Sequence, residues 1–197
     1  MESLVLDLNK RYTYADYLTW TDDKMRELFN GFIRFMSPAP KLKHQKINGI
    51  LFVNLFKIIE NSKCKCEVFS APFDVRLPEN GEKADEQIYN VVQPDICVIC
   101  DQSKLDENGC IGAPDLIVEI ISKSSERRDA IEKKALYEKV GVKEYWIVYP
   151  NDEIIHVYIL LNEKYEYHNV YGVDDKIPVH TLNGYEINMC DIFKKMQ

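Results

Sequence analysis

Two carboxylates stand where strand interiors do not choose them. Asp95 follows Pro94 within the apolar, β-branched run 91–100, and Glu119 interrupts Leu116-Ile117-Val118-Glu119-Ile120-Ile121. A buried acid is costly unless it is paired, protonated or bound to a cation. A pair on neighbouring strands could share a divalent metal. Hard oxygen ligands suit Mg2+ or Mn2+, which keep several waters and need few protein groups. Such a metal can activate water and clamp a phosphate oxygen.

A cation belongs beside such a pair, and the sequence offers one. Ser122-Lys123-Ser124-Ser125 opens a helical pattern in which Asp129, Lys133 and Tyr137 recur at i, i+4 and i+8, so they share a face. Lys133 could then balance the charge of a phosphoryl transition state. Taken alone, the triplet equally describes a solvated Asp–Lys pair over a packed tyrosine. Asp115 lies on the same strand side as Glu119 by parity, either as a strand-end residue after Pro114 or as a further acid. Upstream, Lys41, Lys43, His44 and Lys46 crowd a helix start. Positive charge there opposes the helix dipole, so these lysines face solvent or an anion. His44 by itself reads as a surface or supporting hydrogen-bonding residue. Glu27 reads as a solvent-facing strand residue.

The elements that must position these groups follow from turn and periodicity signals. Thr13 caps a short helix. Asn30-Gly31, between apolar arms, predicts a hairpin. Ser37-Pro38-Ala39-Pro40 breaks the chain before a helix over 43–60 whose buried stripe includes Ile47, Leu51, Leu55 and Ile58. A strand is expected over 68–77, followed by an acidic polar loop over 79–86. Strands at 91–100 and 116–121 flank a turn-rich link over 106–114. The pattern 125–140 is helical, with Ser125 as N-cap and Gly141 past its end. Strand 142–149 then stops at Pro150, and a strand–helix–strand of this length implies a parallel crossover. Residues 154–161 and 164–170 form a hairpin around Asn162-Glu163, and short apolar pieces flank Asn183-Gly184 in the tail. The expectation is one mixed α/β domain over 1–197, with no repeat or linker.

Bulk properties narrow the classes. The 197 residues suffice for a full core, and 46% hydrophobic with 29% charged is ordinary for a globular chain. The net charge of −7 counts against a general nucleic-acid coat protein but leaves room for a local basic cleft. No apolar run reaches the length of a membrane span, and Met1-Glu2-Ser3-Leu4 lacks a charged region leading into an apolar core. No membrane partner and a cytoplasmic location are therefore expected. Cys64-Lys65-Cys66 and Cys97-Val98-Ile99-Cys100 mimic a zinc pattern. Strand parity, however, sends Cys97 and Cys100 to opposite faces, so the expectation is ordinary thiols without metal. Disulfides are not expected in a cytoplasmic chain of this size.

Gly112-Ala113-Pro114-Asp115-Leu116-Ile117-Val118-Glu119-Ile120-Ile121-Ser122, then Asp129, Lys133, Tyr137 and Gly141-Val142-x-Glu144-Tyr145-Trp146, resemble the Uma-type "putative restriction endonuclease" domain, a branch of the PD-(D/E)XK nuclease superfamily. The similarity extends upstream through Glu27-Leu28-x-x-Gly31, Ser37-Pro38-Ala39-Pro40, His44 and Gln93-Pro94-Asp95. It therefore covers nearly the whole chain. The resemblance implies a restriction-endonuclease-like αβββαβ core with a mixed sheet, lying over about 43–161, plus N-terminal and C-terminal hairpins. It implies a metal site of Asp95, Glu119 and the Ile120 carbonyl binding Mg2+ or Mn2+, with Lys133, Glu27 and His44 in the catalytic set. One position departs from the superfamily pattern: a lysine is expected two residues after the strand acid, and Ile121 stands there. Lys133 is the candidate replacement, while Lys134 points about a hundred degrees away on a regular helix. The implied activity is metal-dependent hydrolysis of DNA, with DNA as partner and a homodimer left open. Two rival readings stand beside it. One is an inactive nuclease-fold module that binds nucleic acid or a protein. The other, favoured by the acidic charge, is a small-molecule enzyme or structural protein on the same fold.

Overall fold

The computed structural model describes residues 5–22, 24–36, 41–122 and 126–194. The expected break at 37–40 and the expected Ser125 cap lie outside the described residues. Thr13 and Asp16 cap α1 (Tyr14–Leu18) reciprocally, a capping box with Asp in the usual Glu position. The hairpin β1 (Arg26–Phe29) and β2 (Phe32–Phe35) turns through Asn30 and Gly31, both at positive φ, as a tight turn of primed type requires. Helix α2 (Leu42–Ser62) buries Ile47, Leu51, Leu55, Ile58 and Ile59.

Strands β3 (Glu67–Ser70), β4 (Val75–Arg76), β5 (Val91–Val92), β6 (Ile96–Ile99), β7 (Leu105–Asp106), β8 (Gly109–Ile111) and β9 (Leu116–Ile120) follow. A π-helical stretch, Arg128–Lys133, runs into α3 (Lys134–Val140), which ends at Gly141 in the left-handed region. The chain closes with β10 (Glu144–Tyr149), β11 (Ile154–Leu161), β12 (Lys164–Tyr171), β13 (Lys176–Val179), β14 (Tyr185–Asn188) and α4 (Met189–Phe193).

The larger sheet has the order β12-β11-β10-β9-β6-β3. It is mixed: β9 and β10 are parallel and joined by the helical segment, and the other neighbours are antiparallel. The expected αβββαβ core is thus α2, β3, β6, β9, α3 and β10. A second sheet, β2-β1-β5-β4-β8-β7, packs beside it.

Two expected strands are broken in the same way. The run 68–77 gives β3 to the first sheet and β4 to the second, and the run 91–100 gives β5 to the second and β6 to the first. Each break contains a proline, Pro72 or Pro94, which has no N–H to donate to a ladder. Gln93-Pro94-Asp95 consequently bridges the two sheets. The link over 106–114 contains most of a further hairpin, β7 with β8.

The larger sheet is buried on both faces. Ile96, Val98, Leu116, Val118, Ile120, Trp146 and Val148 pack with α2 and the C-terminal elements. Cys97, Ile99, Ile117, Ile121, Tyr145 and Ile147 pack with Tyr137 of α3 and with Phe29, Val75, Leu77 and Val92 of the second sheet. Parity places the Glu119 side chain on this second face.

Cys97 lies there as a free thiol, while Cys100 turns the other way. Contrary to the expectation of ordinary thiols, Cys100 forms a disulfide with Cys66. The two lie across from each other one step beyond the Glu67–Ile99 pair of β3 and β6, a juxtaposition that separation along the chain does not reveal. No helix among the described residues is long and apolar enough to cross a membrane.

Candidate metal and phosphate site

The antiparallel register pairs Ile96 with Val118, so the next position sets Asp95 across from Glu119. Each acid has one oxygen doubly engaged by the protein. Asp95 Oδ2 accepts from the Ile120 backbone N–H at 2.7 Å and lies 3.2 Å from His44 Nε2. Glu119 Oε1 accepts from Lys133 Nζ and from the Tyr137 hydroxyl, both at 2.8 Å. Asp95 Oδ1 and Glu119 Oε2 take no hydrogen bond among the described residues.

Lys133 comes from the helical segment. Ile121 is a core residue beside Tyr137 and Leu136. The expected regular helix is π-helical at this point, a local widening frequent at functional sites. Both Asp129 and Lys133 still turn inward, with Lys133 Nζ 4.0 Å from Asp129 Oδ1. Lys134 points elsewhere, its amine 3.8 Å from the Tyr158 ring centroid. Burial works against the Lys133 charge, but the carboxylates of Glu119, Glu27 and Asp129 outweigh it and hold the ammonium protonated well above the usual lysine range.

Glu27 corrects the reading made from sequence. It is fully buried rather than solvent-facing. Its Oε1 lies 2.8 Å from Lys133 Nζ and accepts from the Gln93 backbone N–H at 3.1 Å, while Oε2 is buried without a hydrogen-bond partner. A four-residue strand could expose either side to solvent; only the second sheet packing over α3 shows that both are covered.

His44 is the first-turn residue of α2 that reaches the site. Burial lowers its basicity, yet the Asp95 carboxylate and the Ile120 carbonyl more than compensate, and its pKa is raised overall. One turn further along, Asn48 donates to Ser70 Oγ, and Ser70 donates to the Asp95 carbonyl. Asn48 and Ser70 were not singled out from sequence; the i, i+4 relation of His44 to Asn48 was the available signal.

Asp115 is not part of the cluster. Its carboxylate accepts from the Cys100 N–H and from Lys143 Nζ, tying β9 to its neighbours. It shares a side with Glu119, but four residues of strand place it about 13 Å away. Of the serine run, Ser122 is described, while Lys123, Ser124 and Ser125 lie outside the described residues.

The site is rich in carboxylates. Glu27, Glu119 and Asp129 lie around the Lys133 ammonium, Asp129 also pairs with Arg128 at 3.7 Å, and Asp95 is paired with His44 at 3.2 Å. Burial pushes the Glu119 carboxyl up to about 8 against the pull of Lys133, with Asp129, Asp95 and Glu27 adding to the rise. The donor chemistry is of the kind a hard divalent cation takes: two carboxylates, each with one oxygen that accepts no hydrogen bond among the described residues, and the Ile120 carbonyl. Among the described residues no group of three or more His, Cys, Asp or Glu is disposed to cage a metal.

A mixed sheet with one parallel helical crossover, Glu119 of β9 facing that crossover and Asp95 just ahead of β6, is the architecture of a restriction-endonuclease-like fold. Within that class the match is specific: the Uma2 family model, described as "Putative restriction endonuclease", covers residues 14–190, and the chain belongs to this family. Among solved structures, a protein from Anabaena variabilis ATCC 29413, described as a putative nuclease belonging to DUF820, superposes with a TM-score of 0.72 at 20% sequence identity. The alignment covers 94% of this chain and 99% of that one, and shows a shared fold. No curated protein matches the chain.

Proposed function

We propose that this protein is a Mg2+- or Mn2+-dependent endonuclease that hydrolyses phosphodiester bonds in DNA. The observation that carries the reading is the facing pair Asp95 and Glu119, each with one oxygen fixed and one unused, beside the buried Lys133 ammonium. Family membership supports it independently. Asp95, Glu119 and the Ile120 carbonyl would hold the metal. When bound, it would supply Lewis-acid activation of water and neutralise a phosphate oxygen.

The chain's own groups do the rest. Lys133 places a fixed positive charge where the scissile phosphate gains negative charge, an interaction that strengthens toward the transition state. Glu27 also holds the Lys133 amine, at 2.8 Å, and is in turn fixed by the Gln93 N–H. His44 and the Ile120 N–H fix the Asp95 carboxylate. Lys41, Lys43 and Lys46 lie next to His44 in the chain; Lys43 pairs with Glu153 at 3.5 Å, and Lys41 and Lys46 would offer charge for flanking phosphates.

One observation favours the inactive-module reading. Lys133 is only 3% exposed, so its amine reaches a phosphate only if that phosphate enters the cluster or the helix shifts. Incubation of purified protein with circular duplex and single-stranded DNA, with Mg2+ and with Mn2+, separates the two readings. Metal-dependent nicking is the expected result. Metal-independent binding without cleavage of any substrate would establish the module instead.

A further inference from the structure

We infer that Tyr137 is a positioning residue that sets the metal selectivity of the site by reserving one oxygen of Glu119. The inference rests on the metal site proposed above.

Lys133 alone would leave Glu119 Oε1 with one donor and the carboxylate free to turn. The Tyr137 hydroxyl adds a second donor at 2.8 Å on the same oxygen. Tyr137 is itself fully buried and packed edge-on against Tyr145, with ring centroids 5.2 Å apart. Its hydroxyl therefore has little freedom to swing away. Burial and the neighbouring carboxylate hold the phenol protonated, well above the usual tyrosine range, which keeps it a donor.

Asp95 is arranged in the same manner, with Oδ2 engaged by the Ile120 N–H and His44. Each acid therefore has a single oxygen that takes no hydrogen bond among the described residues. Mg2+ and Mn2+ accept such single-oxygen ligation in octahedral shells filled out by water. Ca2+ takes six to eight ligands and draws on bidentate carboxylates. A site whose acids are limited to one oxygen each disfavours Ca2+. Removal of the Tyr137 hydroxyl frees part of Oε1, loosens Glu119 and opens the bidentate mode.

The test compares Mn2+ and Ca2+ binding to wild type, Tyr137→Phe and Tyr145→Phe, by titration calorimetry and Mn2+ electron paramagnetic resonance without nucleic acid. Tyr145 is the matched control. It is an equally buried phenol whose hydroxyl donates to the Asp129 carbonyl and not to Glu119. Tyr137→Phe should weaken Mn2+ binding by about tenfold, as loss of an orienting partner does. Ca2+ binding should hold or improve, so that the ratio of affinities falls, while Tyr145→Phe keeps the wild-type ratio.

Equal weakening of both ions, or no change in either, would overturn the inference while leaving the metal site standing. Wild type that binds neither ion would remove the metal site and the inference together. Infrared difference spectra of Mn2+-loaded wild type give a reading that needs no variant. The carboxylate stretches should carry the wide splitting of single-oxygen ligation. Bidentate bands would contradict the role assigned to Tyr137.

Discussion

Lys133 reaches Glu119 across 14 residues of chain, its amine 2.8 Å from Oε1, and so sets a helix-borne positive charge against the acid of β9. The same amine lies 2.8 Å from Glu27 of the second sheet. One cation therefore joins β1, β9 and the crossover helix.

This pairing predicts a large stability penalty for Lys133→Ala. Deletion of the amine leaves Glu27 and Glu119 as facing buried acids, and breaking a buried ion pair from one side costs about 3–5 kcal/mol. Urea unfolding at neutral pH should show the loss.

Glu27→Gln should cost less, about 2 kcal/mol, because a hydrogen-bonding amide replaces the carboxylate and only the charge-assisted part of the contacts is lost. Activity should fall more than stability, since Lys133 then keeps only Glu119 at hydrogen-bond distance, with Asp129 at 4.0 Å. Thermal unfolding and nicking rates measured on one preparation check this. An unchanged rate would place Glu27 among purely structural groups.

Asp115→Asn tests the converse assignment. Asp115 binds the Cys100 N–H and Lys143, away from the facing acids. The variant should lose about 1–2 kcal/mol of stability through weaker hydrogen bonds while Mn2+ affinity stays at the wild-type value. A marked fall in Mn2+ affinity would bring Asp115 into the site.

Glu119 also fixes a pH dependence. Its carboxyl has an ordinary value of 4.5 and is raised to about 8 by burial. Between these values the folded, metal-free protein holds a proton that the unfolded chain has released, so its stability declines as pH rises from 4.5 and levels off above about 8. Metal ligation needs the ionised carboxylate, so Mn2+ binding should tighten with rising pH over the same window, with proton release. Calorimetry in buffers of different ionisation enthalpy counts that proton. Binding that weakens with rising pH would contradict the assignment.

The sequence made the scaffold readable where the signal was local. Asn30-Gly31 marked a hairpin, apolar runs marked β9 and β10, and the i, i+4 pattern brought Lys133 and Tyr137 onto the Glu119 side. Long-range features were harder to read. The strands expected at 68–77 and 91–100 look continuous in hydropathy, yet Pro72 and Pro94 let the chain change sheets within each. Glu27 looked solvent-facing because the layer that buries it is distant in sequence. The Cys66–Cys100 bond depends on the register of β3 against β6, which spacing alone does not set. That Tyr137 and Lys133 share one oxygen of Glu119 is a matter of rotamers, and no periodicity encodes it.

The central claim, that Asp95 belongs to the metal and Lys133 to the phosphate, is tested most directly by nicking kinetics of supercoiled circular DNA under Mg2+ or Mn2+. Wild type, Asp95→Ala and Lys133→Ala are compared, with Mn2+ affinity and DNA affinity measured on the same samples. Asp95→Ala removes a hard ligand, so Mn2+ should bind much more weakly and nicking should vanish. Lys133→Ala should retain measurable Mn2+ and DNA binding while nicking falls by about a hundredfold or more, the signature of an interaction made mainly in the transition state. Folded wild-type protein that binds DNA equally with and without metal and nicks nothing would contradict the account.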